Sequence, residues 1–257
     1  MAQTTTELRG SLRGVWRYAL RVFGYGLGMA VASLVLTGAL MPESMILRIL
    51  FNGALLAVFL LLLYSDAITR GEKETARREG LAHRAAEGRA APTADDLAAC
   101  YHPAKGVLGA LLGALPALCL AVALALLARP ATYALQDLPG WLAYYRRRAD
   151  IGLALSYYDS TAGLAATDVI RLLVRVQIMP LANIVTPLGE GAALLLDRLS
   201  PLPALLPALV YALGYLRGPA LRRRVLARNE EAKRKHLRKV TRKQRARRNK
   251  KGPESLI

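Results

Sequence analysis

Three charged residues in an otherwise apolar stretch, Asp168, Arg171 and Arg175, recur at i, i+3 and i+7, so a helix over Ala165–Met179 places them in one stripe. Charges on an apolar helix either neutralise one another or line a route for a polar solute. The stripe therefore reads as an outer ion-pair face, with Asp168 set between Arg171 and, through the next turn, Arg175, or as the lining of a transport path. A second basic set crowds the C-terminal segment: Arg222, Arg223, Arg224, Lys233, Arg234, Lys235, Arg238, Lys239, Arg242, Lys243, Arg245, Arg247 and Arg248. Guanidinium and ammonium groups at this density bind polyanions, through attraction to anionic lipid or through phosphate electrostatics and counterion release on RNA.

Other reactive residue types do not assemble into a motif. His83, Cys100 and His102 can each ligate a transition metal, but a structural zinc site takes four ligands and no fourth follows at tight spacing, so no metal and no cofactor is expected. Asp66, Asp168 and Asp197 could couple protons if they shared a cavity, although each has an arginine nearby in sequence that pairs with it more simply. The sequence has no phosphate-cradling G-x-x-x-x-G-K-[ST] and no nucleophile elbow G-x-S-x-G. No catalytic residue is assigned, and the chain does not read as an enzyme.

The elements that must position these groups are membrane helices. The 257 residues are 54% hydrophobic with a mean hydropathy of +0.26 and a pI near 10.5, a combination that would leave a soluble domain with apolar excess on its surface. An all-α polytopic protein of the cell (cytoplasmic) membrane is expected, with spans near 22–41, 46–67, 106–128 and 201–217. The run at 22–41 reads as a retained signal-anchor helix, and Cys100 and Cys119 do not suggest a disulfide. Residues 217–257 hold 17 Lys/Arg against Glu230, Glu231 and Glu254, which is +14 of the chain's formal +18. Basic clusters beside spans stay in the cytoplasm, so the tail at 218–257 is placed inside, and four crossings bring the N-terminus inside as well.

Within that frame, residues 1–21 form a basic segment with Arg9, Arg13, Arg17 and Arg21 at i, i+4 spacing and Trp16 and Tyr18 at headgroup depth. Spans 22–41 and 46–67 are expected as a hairpin, with Asn52 bridging to a neighbouring helix. The charged loop 68–105 predicts two short helices, one over Gly71–Glu87 with a Glu74/Arg78 pair and one N-capped by Thr93. Segment 129–200 reads as an amphipathic outer layer: Trp141, Tyr144 and Tyr145 precede Arg146-Arg147-Arg148, the composition of an interfacial helix. Gly24-x-x-x-Gly28 and Gly109-x-x-x-Gly113 leave grooves through which helices could meet, within the chain or between copies.

A Gly71-Glu72-Lys73 turn just inside the second span, Glu74 directly after the basic residue, and Leu213-Gly214-Tyr215 at the end of the last span resemble an uncharacterised group of small four-span bacterial membrane proteins. The resemblance covers the layout and these few residues. It implies a four-span helical architecture and brings no function with it.

Three functions fit these features: a membrane-anchored interaction protein whose tail binds anionic lipid or the ribosome, a small transporter or its accessory subunit, and a structural bundle whose tail only orients it. No aromatic residue follows Tyr215, so base stacking and sequence-specific nucleic-acid readout are not expected. Alone in water the tail should be largely unfolded and become helical on contact, because its like charges repel and it has little to bury.

Overall fold

The structure is a computed structural model that describes residues 14–40, 42–88, 93–128, 148, 150–151 and 166–250. Arg9 and Arg13, the Trp141/Tyr144/Tyr145 run and Tyr157–Asp159 fall outside these. The described residues contain helices and no strand: α1 (Val15–Leu40), α2 (Met45–Ala86), α3 (Ala94–Ala98), α4 (Pro103–Leu127), α5 (Ala166–Gln177), α6 (Met179–Val185), a 3-10 turn (Thr186–Leu188), α7 (Glu190–Leu199), α8 (Pro201–Leu216) and α9 (Gly218–Lys250). Prolines open α4 and α8, where a missing N–H leaves no bond unmade. Four helices are long and apolar enough to cross a bilayer, α1, α2, α4 and α8 with its continuation, so the chain is an all-α multi-pass membrane protein.

Two expected boundaries move. α2 runs unbroken for 42 residues, about 63 Å at the helical rise, through the Gly71-Glu72-Lys73 segment expected to turn. Roughly its first half crosses the hydrocarbon, and the rest extends beyond it as one helix in place of a separate Gly71–Glu87 element. The Thr93 cap is present as a complete capping box: its hydroxyl accepts from the Asp96 N–H, and Asp96 accepts from Thr93 in return. Those bonds hold the Asp96 carboxyl below its ordinary pKa.

The first two spans do not form a hairpin. α4 lies between α1 and α8, α8 lies between α4 and α2, and α1 and α2 scarcely touch. Small residues set this order. A Cβ on Gly113 would sit 2.5 Å from the Ala19 carbonyl and one on Gly109 would sit 2.4 Å from the Tyr18 Cβ, so α1 is drawn onto α4. The Gly109/Gly113 groove is thus filled inside the chain, whereas a Cβ on Gly24 or Gly28 would meet nothing within 4 Å.

α2 and the last span meet in the same way, backbone to backbone. A Cβ on Gly71 would lie 2.4 Å from the Tyr215 carbonyl, and one on Gly218 would lie 2.3 Å from the Gly71 carbonyl carbon. Neither obstruction is a side-chain tip that can swing away. Gly71→Ala should therefore destabilise the protein by about 1–3 kcal/mol, the range for overpacking, while Gly24→Ala stays within about 0.5 kcal/mol. Thermal unfolding of the purified variants in detergent checks the contrast.

At the end of the bundle away from α9, α5 and α6 are joined at an angle of 103°. At 12 and 7 residues they reach about 18 and 10 Å, so neither crosses the bilayer alone. The segment also does not simply lie on the surface as expected. Asn183 of α6 donates to Thr37 Oγ1 at 3.0 Å and to Asn52 Oδ1 at 3.1 Å, and Asn52 lies about 10 Å along α2 from its start. α6 thus dips between the far ends of α1 and α2, which is the physical reason these two spans stand apart. Asn52 bridges helices as its position in a span implied.

Candidate functional site

Two buried charge clusters occupy opposite ends of the bundle. At the α9 end, Glu74 projects from the extension of α2 into the junction of α1, α4 and α8. Tyr18 of α1 donates its hydroxyl to Glu74 Oε1, Tyr215 of α8 donates to Oε2 at 2.5 Å, and Lys105 at the start of α4 donates to Oε1 at 3.0 Å. The Lys105 side chain is only 2% exposed. Its ammonium has three protons, and they serve Glu74, the Ala98 carbonyl at 2.7 Å and the Cys100 carbonyl at 3.4 Å. The lysine therefore caps the C-terminal end of α3 while neutralising the carboxylate.

Aromatic packing closes this cluster. Tyr215 stacks on Tyr101 with ring centroids 5.1 Å apart and meets Tyr18 edge-on at 5.7 Å. The Lys105 ammonium lies 5.3 Å from the Tyr18 ring centroid, within cation–π range. Gly106 makes room for the Tyr215 ring, which a Cβ there would meet at 2.1 Å. Beside them the Cys100 thiol donates to the Asp96 carbonyl at 3.3 Å, and burial pushes its pKa up, so it stays protonated.

With both oxygens of Glu74 already accepting from strong donors, the group is arranged to hold four helices in register rather than to accept a substrate proton. On its outer side opens a cleft of about 710 Å³. Arg17, Arg21, Arg70, Arg77 and Lys105 line it against Glu74 and Asp95, with Trp16 at the rim. Asp66, on the adjoining turn of α2, pairs with Arg70 at 3.0 Å and Arg21 at 3.7 Å.

No family model, curated protein or solved structure matches the chain.

At the other end, the Asp168, Arg171 and Arg175 stripe exists on α5, but its centre is a different carboxylate. Asp197 of α7, 2% exposed at the side chain, accepts from Arg171 Nε at 2.9 Å and from Arg175 Nε and Nη2 at 2.9 Å each. Asp168 is 46% exposed and reaches Arg171 at 3.5 Å. The expectation that Asp168 sits between the two arginines is corrected: the i, i+3, i+7 spacing found the cations, and their buried anion comes from a helix 22 residues further on. A recess of about 280 Å³ lies beside this cluster, bounded by Thr186, Gly189 and Glu190.

Of the basic tail residues, Arg222 is paired with the body of the protein at its surface, with Glu79 at 2.9 Å and Glu72 at 3.3 Å. The Glu74/Arg78 pair expected from spacing gives way to Glu74/Lys105, since Glu74 points into the bundle. His83, Cys100 and His102 do not converge: among the described residues no three potential metal ligands cluster.

Proposed function

We propose that this is a membrane-anchored interaction protein of the cytoplasmic membrane, with both termini inside, whose C-terminal helix captures polyanions. The observation that carries the reading is α9 itself. It is a 33-residue helix, about 50 Å long, and every residue from Leu226 to Gln244 is exposed. Among the described side chains of α9, Arg222 is the one cation with an ion-pair partner, so those from Arg223 to Lys243 face no carboxylate at ion-pair distance.

The form of the charge narrows the partner. An interfacial helix keeps an apolar stripe to bury, whereas α9 exposes Leu226, Leu237 and Val240 among cations on every face. A helix basic all round suits a phosphate-rich surface that it can approach in any rotation, an anionic leaflet or ribosomal RNA. Packing against α2 through Gly218 and Arg222 also supplies the costly first turn, so helix formation need not await a ligand, in contrast to the expectation from charge repulsion alone.

Transport is less well supported. Between the Glu74 cluster and the Asn52/Asn183/Thr37 contacts the interior is filled by Met29, Phe59 and Leu63, all buried. Glu74, Asn183 and Asp197 are each held by partners within the bundle. The bundle reads as an anchor, and we assign it no catalytic activity.

The full chain in neutral-lipid nanodiscs should co-sediment with ribosomes or anionic vesicles, with affinity falling at least about a hundredfold between roughly 50 and 200 mM salt, as several phosphate contacts require. A chain ending at Val225, which keeps the Gly218 and Arg222 contacts, should lose this binding. Binding unchanged by truncation, or indifferent to salt, would leave the tail as an orientation signal only.

A further inference from the structure

α1 and α2 follow one another in the chain but part in space, and the gap between them is a groove of about 530 Å³. Its walls are Met29 and Ala32 from α1 and Leu55, Val58, Phe59 and Leu62 from α2. Gly24 and Gly28 deepen it, since no side chain stands there and nothing within 4 Å would meet one. Arg21 closes one end of the groove and also lines the 710 Å³ basic cleft, so the two spaces adjoin.

The depth of this junction follows from helix length. A hydrocarbon layer of about 30 Å takes about 20 residues, which runs from Leu40 back to Arg21 on α1 and from Met45 forward to Tyr64 on α2. Arg21 thus stands at the edge of the hydrocarbon, with Arg17 and Arg70 about 6 and 9 Å beyond it at headgroup level, Arg77 further out at about 20 Å, and the groove among the acyl chains. Arg21 and Arg70 share Asp66, while the side chains of Arg17 and Arg77 have no hydrogen bond or ion pair among the described residues. Glu74 is neutralised by Lys105, so the cleft keeps an excess of positive charge.

We infer that the cleft and the α1/α2 groove together bind one anionic glycerophospholipid, its phosphate at Arg17 and Arg21 and one acyl chain lying along Gly24 and Gly28. The occupant is fixed by two complementarities that meet at Arg21: an excess of cations, Arg17 unpaired among them, where a lipid carries its phosphate, and an apolar channel where it carries its chain. A second copy packed through Gly24 and Gly28 would share the same orientation and bring its own Arg17 and Arg21 against these, a like-charge contact that opposes association. The site does not involve α9 and stands whether or not the tail binds polyanions.

The test uses the full chain incubated with vesicles of phosphatidylglycerol or phosphatidylcholine, extracted in non-ionic detergent, and washed at about 0.5 M salt to strip lipid held only by surface charge. Glycerol 3-phosphate in a third arm represents the headgroup without a chain. About one phosphatidylglycerol per chain should remain, with phosphatidylcholine retained at least about tenfold less and glycerol 3-phosphate not at all. Gly28→Leu and Leu62→Trp, which fill the groove from either side, should abolish retention at unchanged melting temperature. Arg17→Gln should reduce the preference for phosphatidylglycerol by about fivefold, as loss of one surface cation implies. The proposal is overturned if no phosphatidylglycerol survives the wash, if both folded groove variants retain it, if glycerol 3-phosphate binds as well, or if Gly28→Leu converts a dimer to a monomer and so shows a second copy in the groove.

Discussion

Replacing Glu74 with Ala should destabilise the protein by about 3–5 kcal/mol, the range for removing one partner of a buried ion pair. The substitution strips the carboxylate from a lysine that is 2% exposed and takes the acceptor from the hydroxyls of Tyr18 and Tyr215. The ammonium keeps two carbonyls, but carbonyl dipoles do not offset a buried unit charge. Lys105→Met should cost nearly as much, because Glu74 would then be the uncompensated ion. Glu74→Ala combined with Lys105→Met should lose less than the two single losses added together, with a coupling of about 1–3 kcal/mol. Melting curves of the four proteins in detergent measure this. Additive losses would mean that the carboxylate and the ammonium act separately.

Asp197→Ala should be as damaging, about 3–5 kcal/mol, whereas Asp168→Ala should cost less than about 1 kcal/mol. The difference follows from burial and geometry. Asp197 receives three bonds of 2.9 Å from two arginines at 2% side-chain exposure, while Asp168 is 46% exposed and its contact with Arg171 is longer, at 3.5 Å. Without Asp197, the guanidinium groups of Arg171 and Arg175, both on α5, would be left against α7 without the carboxylate they share. Denaturant titration of the two variants, read against thermolysin cleavage between residues 166 and 199, checks both the size of the loss and its place. Equal losses would return the stripe to the arrangement its spacing suggested, with Asp168 at the centre.

The sequence was most legible where one physical factor decides the outcome. The spans followed from length and hydropathy, and the Thr93 cap followed from a hydroxyl placed before two acids and an apolar run. Asn52 was legible for the same reason, since an amide alone in hydrocarbon has to find a partner. Less legible was anything decided between distant segments. Glu74 was placed on a solvated face by its spacing to Arg78, because a pairing with Lys105 across 31 residues leaves no periodic trace. Two local signals did point toward that cluster: a lysine set immediately before Gly106 at the mouth of an apolar run, and tyrosines at the same depth on two spans. The hairpin expected of α1 and α2 failed because adjacency in the chain is only a default, and α6 displaces it by inserting Asn183. Helical spacing found Arg171 and Arg175 but could not supply Asp197 from another helix.

The account depends most on the basic α9 end and the α5–α7 layer lying on opposite faces of the membrane. In a chain carrying Cys100→Ser and Cys119→Ser, single cysteines introduced as Leu188→Cys and Leu237→Cys fall at exposed positions at the two ends. A membrane-impermeant maleimide applied to intact cells should label position 188 at once and reach position 237 only after the membrane is opened. Labelling of position 237 from outside intact cells, or of both positions from one side, would contradict it.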